Sequence, residues 1–108
     1  MGRTYIVVRT SFEALHQWPT CPFEDVAFLK LLHRHIFHVE MKFEVTSDRQ
    51  IEFIRQKRRV EEVIKNSYAG KDLGPTSCEV IAKALVDSFG AVSASVFEDN
   101  ENGAEFHA

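Results

Sequence analysis

The segment from residue 33 to residue 46 reads His-Arg-His-Ile-Phe-His-Val-Glu-Met-Lys-Phe-Glu-Val-Thr, and its apolar side chains recur at every second position. Successive side chains of an extended strand point to opposite faces, so the apolar set shares one face. That set is Phe37, Val39, Met41, Phe43 and Val45. The segment therefore predicts one long strand of a sheet, with a packed face and a more polar face.

The rest of the chain supplies three more strands and two helices. The predicted strands are Thr4 to Ala14, Ala91 to Glu98 and Ala104 to His107; the predicted helices are about Glu52 to Tyr68 and about Ser77 to Ser88. Thr76 with Glu79 forms a capping-box pattern before the second helix, and Gly90 closes it. A loop from His16 to Glu24 precedes a short helical turn. The order ββααββ predicts an α+β fold, a four-stranded antiparallel sheet with two helices on one face, as one domain over residues 1–108.

Composition narrows the classes of function. The net charge of −3 gives no electrostatic attraction to nucleic acid or to an anionic membrane. The apolar runs are shorter than the roughly 20 residues that span a bilayer, and no signal-peptide pattern is present. We therefore expect a cytoplasmic protein without nucleic-acid or membrane partners. Two cysteines are too few for a disulfide scaffold, so both are expected to be free thiols.

Histidines are concentrated in the first part of the chain. His33 and His35 are two residues apart on the predicted strand and share a face, whereas His38 points to the other side. If the first two strands pair antiparallel, His16 returns beside His33 and His35. Three imidazoles suit Zn²⁺ and leave one position for water or substrate, as in catalytic sites. Iron, manganese or nickel would accept the same nitrogens.

Several motifs resemble those of the 6-pyruvoyl- and 6-carboxy-tetrahydropterin synthases. Phe-Glu-Ala-Leu-His at residues 12–16 is similar to their Phe-x-Ala-Ala-His, and Leu-His-Arg-His-Ile-Phe at residues 32–37 to their Leu-His-Gly-His-Asn-Tyr. Ile51-Glu52-Phe53 with Lys57, and residues 76–82, resemble the starts of the family's two helices. Ser95 to Glu98 falls where the family has a strand that ends in glutamate. The matches occur in the family's order over nearly the whole chain.

This resemblance implies a fold, an activity and a site. The fold would be the tunnelling fold, whose protomers assemble into a trimer or a pair of trimers, so a homo-oligomer is expected. The activity would be a zinc-dependent lyase reaction that converts 7,8-dihydroneopterin triphosphate into a 6-carboxy- or 6-pyruvoyl-tetrahydropterin, for 7-deazaguanine or pterin biosynthesis. Zinc would bind His16, His33 and His35. Glu98 would anchor the pterin ring, because a carboxylate accepts two parallel N–H bonds. Ser77 would also lie in the substrate site.

The chain also departs from the family. Leu29 stands where the family has its catalytic cysteine, and residues 66–75 between the helices hold no histidine for the family's Asp-His pair. Cys21 is the candidate replacement base if its loop folds over the metal, with Asp72 or a zinc-bound hydroxide as alternatives. Cys78 is expected to pack or to lie on the first helical turn. These departures favour, as an alternative function, a non-catalytic zinc- and pterin- or purine-binding module. A third hypothesis is an interaction protein with structural histidines.

Overall fold

The computed structural model describes residues 2–108. Its strands are β1 (Thr4–His16), β2 (His33–Val45), β3 (Ser93–Glu98) and β4 (Asn102–His107); its helices are α1 (Phe53–Ser67), α2 (Cys78–Phe89) and a 3₁₀ helix (Glu24–Lys30) between β1 and β2. The strands form one sheet in the order β1-β2-β3-β4, and each neighbouring pair is antiparallel. The predicted α+β class and the ββααββ order are confirmed. The main difference is that β1 continues two residues further and includes His16.

The hydrophobic core lies between the sheet and the two helices. Helix α1 packs against β1, and α2 packs against β3 and β4. The largest fully buried side chains come from both layers and are Phe37, Met41, Val60, Ile81, Leu85 and Val96. Phe37 and Met41 lie on the β2 face that the alternation predicts as packed. No helix within residues 2–108 is long and apolar enough to cross a membrane.

The N-terminus of α2 differs by one residue from the capping box that the sequence predicts. Ser77 is the N-cap, and its hydroxyl oxygen accepts a hydrogen bond from the backbone N–H of Val80 at 3.2 Å. The hydroxyl of Thr76 donates instead to the carbonyl oxygen of Leu73 at 2.6 Å. At the other end, Gly90 adopts a left-handed conformation with φ 66° and closes the helix as predicted.

The register between β1 and β2 determines which side chains meet at one end of the sheet. His16 lies directly opposite His33, and Ala14 lies opposite His35. The 16 residues between the strands leave and return at this end, and the backbone N–H of Trp18 donates to the carbonyl of Leu29 at 2.6 Å across their loop. The end of β3 lies near this end of the sheet, because Glu98 pairs with Phe37. The start of α2 lies there too, since the carbonyl oxygen of Thr76 is 2.9 Å from Nδ1 of His16.

Candidate metal centre

Three histidine side chains converge at this end of the sheet. His16 is the last residue of β1, and His33 and His35 begin β2 on the face that packs against the core. Their ring centroids are 4.6 Å apart for His16 and His33, 4.9 Å for His33 and His35, and 5.3 Å for His16 and His35. One nitrogen from each ring lies within 4.8 Å of the other two. The predicted convergence is confirmed, and His38 lies on the opposite face of β2.

Each ring has one nitrogen in a hydrogen bond and one nitrogen without a partner. The Nδ1 atom of His16 lies 2.9 Å from the carbonyl oxygen of Thr76, and that of His33 lies 2.7 Å from the carbonyl oxygen of Leu31. The Nδ1 atom of His35 lies 2.7 Å from a carboxylate oxygen of Asp99. All three partners accept, so each neutral ring carries its proton on Nδ1 and leaves a lone pair on Nε2.

The three Nε2 atoms fit a divalent metal. Each is buried and has no hydrogen-bond partner among the described residues. Buried polar atoms are nearly always paired, so three orphaned lone pairs in one place need an explanation. Metal-bound histidines commonly donate their other ring N–H to a carbonyl or a carboxylate. His16, His33 and His35 could therefore hold a metal ion through Nε2, and three nitrogen ligands suit zinc.

Glu98 adds a negative charge to the histidine cluster. Its carboxylate oxygens lie 3.0 Å from Nε2 of His16 and 3.5 Å from Nε2 of His35. These contacts are close, but their alignment does not make either nitrogen a partnered hydrogen-bonding atom. In the metal-free chain, the carboxylate beside His16 raises the pKa of that imidazole, although burial acts in the opposite direction. The same contact lowers the pKa of Glu98, so this carboxyl group stays ionised at neutral pH.

Phe37 forms the floor beneath two of the histidines. Its ring is fully buried and lies edge-on to the rings of His16 at 5.2 Å and His35 at 5.8 Å. On its other side it stacks on Phe12, with the centroids 5.2 Å apart and the planes 17° apart. The histidine rings are thus supported by the hydrophobic core itself.

A cavity of about 450 Å³ opens beside the histidines. Its wall combines the end of β1, the start of β2, the N-terminus of α2 and the β3–β4 hairpin: His16, Gln17, Trp18, Leu29, His33, Pro75, Thr76, Ser77, Cys78, Glu79, Glu98, Asn102 and Gly103. This volume lies in the range of small-molecule sites. Of the residues that the sequence predicts for substrate binding, both Glu98 and Ser77 line the cavity.

Only one of the two cysteines lines the cavity: Cys78, which is also buried in the first turn of α2, as the sequence predicts. Cys21 is buried, and its sulfur lies 3.8 Å from the carbonyl oxygens of Phe23 and Val26 in its own loop. It is not part of the cavity wall, and its role as a base stays a prediction. Cys78 does line the cavity, and its sulfur lies 3.8 Å from a carboxylate oxygen of Glu98. Burial, and then the charge of Glu98, raise the pKa of the Cys78 thiol to about 12.

Sequence reasoning missed Cys78 and Asp99 as neighbours of the site. Cys78 carries a weak signal, since it follows the cap of a helix whose start resembles a substrate-binding motif. Asp99 carries none, because its carboxylate reaches His35 across 64 positions of sequence through the β3–β4 hairpin. Only the hairpin geometry brings the two side chains together.

Comparison with known proteins identifies the fold. No family model matches the sequence, and a search of curated protein sequences finds no relative. Among solved structures, the chain is similar to the 6-pyruvoyl tetrahydropterin synthase of Caenorhabditis elegans, with a TM-score of 0.79 and 11% sequence identity. The match covers 100% of this chain and 97% of that chain. The chain therefore has the α+β tunnelling fold of a tetrahydropterin synthase, as its sequence motifs predict.

Proposed function

We propose that the protein is a zinc-dependent lyase acting on 7,8-dihydroneopterin triphosphate or a closely related pterin, with a 6-carboxy- or 6-pyruvoyl-tetrahydropterin as product. The observation that carries the proposal is the set of three buried, unpartnered Nε2 atoms of His16, His33 and His35 at the wall of a cavity. The likeness in fold to a 6-pyruvoyl tetrahydropterin synthase supports the choice of a pterin.

The cavity offers matched groups for a pterin ring. Glu98 is half-buried and ionised, and a carboxylate can accept two parallel N–H bonds from the amino-pyrimidinone edge of a pterin. Ser77 lies at the N-terminus of α2, where its hydroxyl proton is free to be donated to a ligand, because its oxygen already accepts from Val80. The exposed indole of Trp18 provides an apolar wall for the ring.

The histidines would hold zinc at the side-chain end of the substrate. A zinc ion bound there supplies Lewis-acid chemistry, lowering the pKa of a hydroxyl group that it contacts. The chain's own contribution is to keep the three rings neutral and fixed through their Nδ1 hydrogen bonds, so that all three lone pairs are available. Phe37 keeps water away from the underside of His16 and His35.

The groups that would transfer protons are less complete than the metal ligands, because Leu29 stands at the position of the family's cysteine. Cys21 is the proposed base. This role requires the loop between β1 and β2 to open, because the thiol faces the carbonyls of Phe23 and Val26. Cys78 cannot take that role as a thiolate, since its pKa is raised to about 12. If Cys21 is the base, Cys21→Ala lowers turnover by roughly two to four orders of magnitude with zinc content unchanged.

The second candidate function is a zinc- and pterin- or purine-binding module without catalysis. The observation that favours it is the aliphatic side chain of Leu29 in the cavity wall, at the position of the family's cysteine. A module of this kind keeps the metal and the ring anchor but has no group that moves protons.

Incubation of zinc-loaded protein with 7,8-dihydroneopterin triphosphate separates the two functions. The lyase releases triphosphate and a new pterin, whereas the module retains the substrate unchanged. Glu98→Gln is expected to weaken pterin binding, and Glu101→Gln, which removes a charge from the adjacent hairpin, is the matched control. If Glu98→Gln binds and converts the pterin as well as the unaltered chain does, the ring-anchoring role of Glu98 is contradicted.

Assembly and location complete the proposal. We propose a homo-oligomer, a trimer or a pair of trimers, in the cytoplasm. β1 before Glu13 and β4 are edge strands with no further strand beside them among residues 2–108, and this supports the assembly, because an exposed strand edge favours pairing with another chain. A stable monomer in sedimentation at micromolar concentration contradicts it.

A further inference from the structure

The three candidate ligands differ in what holds their Nδ1 atoms. For His16 and His33 the acceptor is a backbone carbonyl, at 2.9 Å and 2.7 Å. For His35 the acceptor is the carboxylate of Asp99, at 2.7 Å. Within residues 2–108, Asp99 is the only side chain that accepts from one of these Nδ1 atoms, so the cluster contains one charged support and two neutral ones.

The β3–β4 hairpin holds Asp99 in a fixed orientation. Its backbone N–H donates to the carbonyl oxygen of Ile36 at 2.7 Å, and its second carboxylate oxygen accepts from the backbone N–H of Ile36 at 3.0 Å. One carboxylate therefore binds both the β2 backbone and the ring of His35. Because the pairing of β2 with β3 ends at Phe37 and Glu98, Asp99 continues the contact between these strands by one residue.

The backbone of Asp99 is in the left-handed region, with φ 53°. Aspartate and asparagine tolerate this conformation better than other non-glycine residues, so the turn alone would explain either of them. The hydrogen bonds of the side chain favour aspartate over asparagine, because each of the two carboxylate oxygens faces an N–H donor. An asparagine side chain would place an NH₂ group against one of these two donors.

We infer that Asp99 is a positioning residue for the metal, which orients His35 and strengthens its Nε2 as a ligand. This inference rests on the proposed metal site. A carboxylate bound to Nδ1–H makes the opposite nitrogen more basic and prevents ring rotation, and loss of such a partner typically lowers metal affinity by about 10- to 100-fold. The alternative role for Asp99 is purely structural, as a turn residue.

Two variants separate these roles when zinc affinity is measured by competition with a chromophoric chelator. Asp99→Asn keeps a residue that suits the turn but removes the charge and one acceptor. Asp99→Gly fits the left-handed backbone best, so the metal-free chain should remain folded in circular dichroism. Both should bind zinc about 10- to 100-fold more weakly than the unaltered chain. Glu101→Gln removes a charge from the same hairpin loop, and its zinc affinity should stay within about twofold of that of the unaltered chain.

The outcomes distinguish the two claims. If the unaltered chain binds no zinc, both the proposed metal site and this inference fail. If it binds zinc and Asp99→Gly binds equally tightly, Asp99 is only a turn residue and the inference alone fails. The inference is also overturned if Glu101→Gln weakens zinc binding by as much as Asp99→Asn does. The effect would then reflect the net charge of the hairpin rather than the hydrogen bond to His35.

Discussion

Replacement of Phe37 by leucine tests whether the hydrophobic core supports the histidine cluster. The ring is fully buried, stacks on Phe12 and contacts the rings of His16 and His35. Truncation to alanine would cost about 3–5 kcal/mol, which is a large part of the roughly 5–15 kcal/mol that stabilises a domain. Leucine is the milder change. It loses the aromatic contact, worth about 0.5–1.5 kcal/mol, and part of the packing, so we expect a total loss of about 1–2 kcal/mol.

The assay has two measurements. Urea unfolding with a chelator present gives the stability of the metal-free chain, and chelator competition gives the zinc affinity of the folded chain. Met41→Leu is the matched control, since Met41 is also fully buried on β2 but lies four residues further on, about 13 Å along the strand. We expect Phe37→Leu to weaken zinc binding and Met41→Leu to leave it unchanged. A stability loss below about 0.5 kcal/mol, or equal zinc affinity in both variants, refutes the reasoning.

Three further predictions concern the same end of the sheet. In the metal-free chain, the raised pKa of His16 stabilises the fold. This stabilisation is complete at pH values below 6.5, the ordinary pKa of histidine, and is lost as the pH rises through the raised pKa of the folded state. The lowered pKa of Glu98 has the opposite pH dependence: it stabilises the fold above pH 4.5, and this stabilisation is lost as the pH falls through the lowered pKa. Unfolding midpoints against pH should therefore show the contribution of this pair to be largest between these two values, and a Glu98→Gln variant with the same profile contradicts this. Cys78→Ala should weaken pterin binding by about 1 kcal/mol through loss of the contact with Glu98, while Cys78→Ser should retain most of the pterin affinity. Equal pterin affinity in the two variants would contradict this role of Cys78. Gly103→Ala should destabilise the chain by about 1–3 kcal/mol in urea unfolding, because a Cβ at this position overlaps the carbonyl of Val96, and an unchanged midpoint would show that the hairpin can shift.

Much of the fold was accessible from the sequence because its signals are local. Strand alternation correctly places His33 and His35 on one face and His38 on the other. The antiparallel return of β2 along β1 correctly brings His16 back to them. The α+β class follows from the same patterns, since two period-two segments, two helical segments and two further extended segments follow one another along the chain in the order that the structure has.

The details of the site were less accessible because they depend on contacts that are distant in sequence. Asp99 reaches His35 only after β3 has paired with β2, and Cys78 meets Glu98 only after α2 has packed on the sheet. The start of α2 was misplaced by one residue, because Thr76 and Ser77 are both good caps and the nearby carbonyl of Leu73 binds the hydroxyl of Thr76. Local propensity does not separate two such neighbours.

Metal content tests the central claim most directly. The chain is purified without a histidine tag, supplied with zinc, freed of excess metal by dialysis and analysed by elemental mass spectrometry. We predict about one zinc per chain in the unaltered protein and in His38→Ala, and little zinc in His33→Ala and His35→Ala, since only the latter two remove an Nε2 atom of the cluster. Absence of stoichiometric metal from the unaltered chain, or loss of zinc from His38→Ala, would contradict the account.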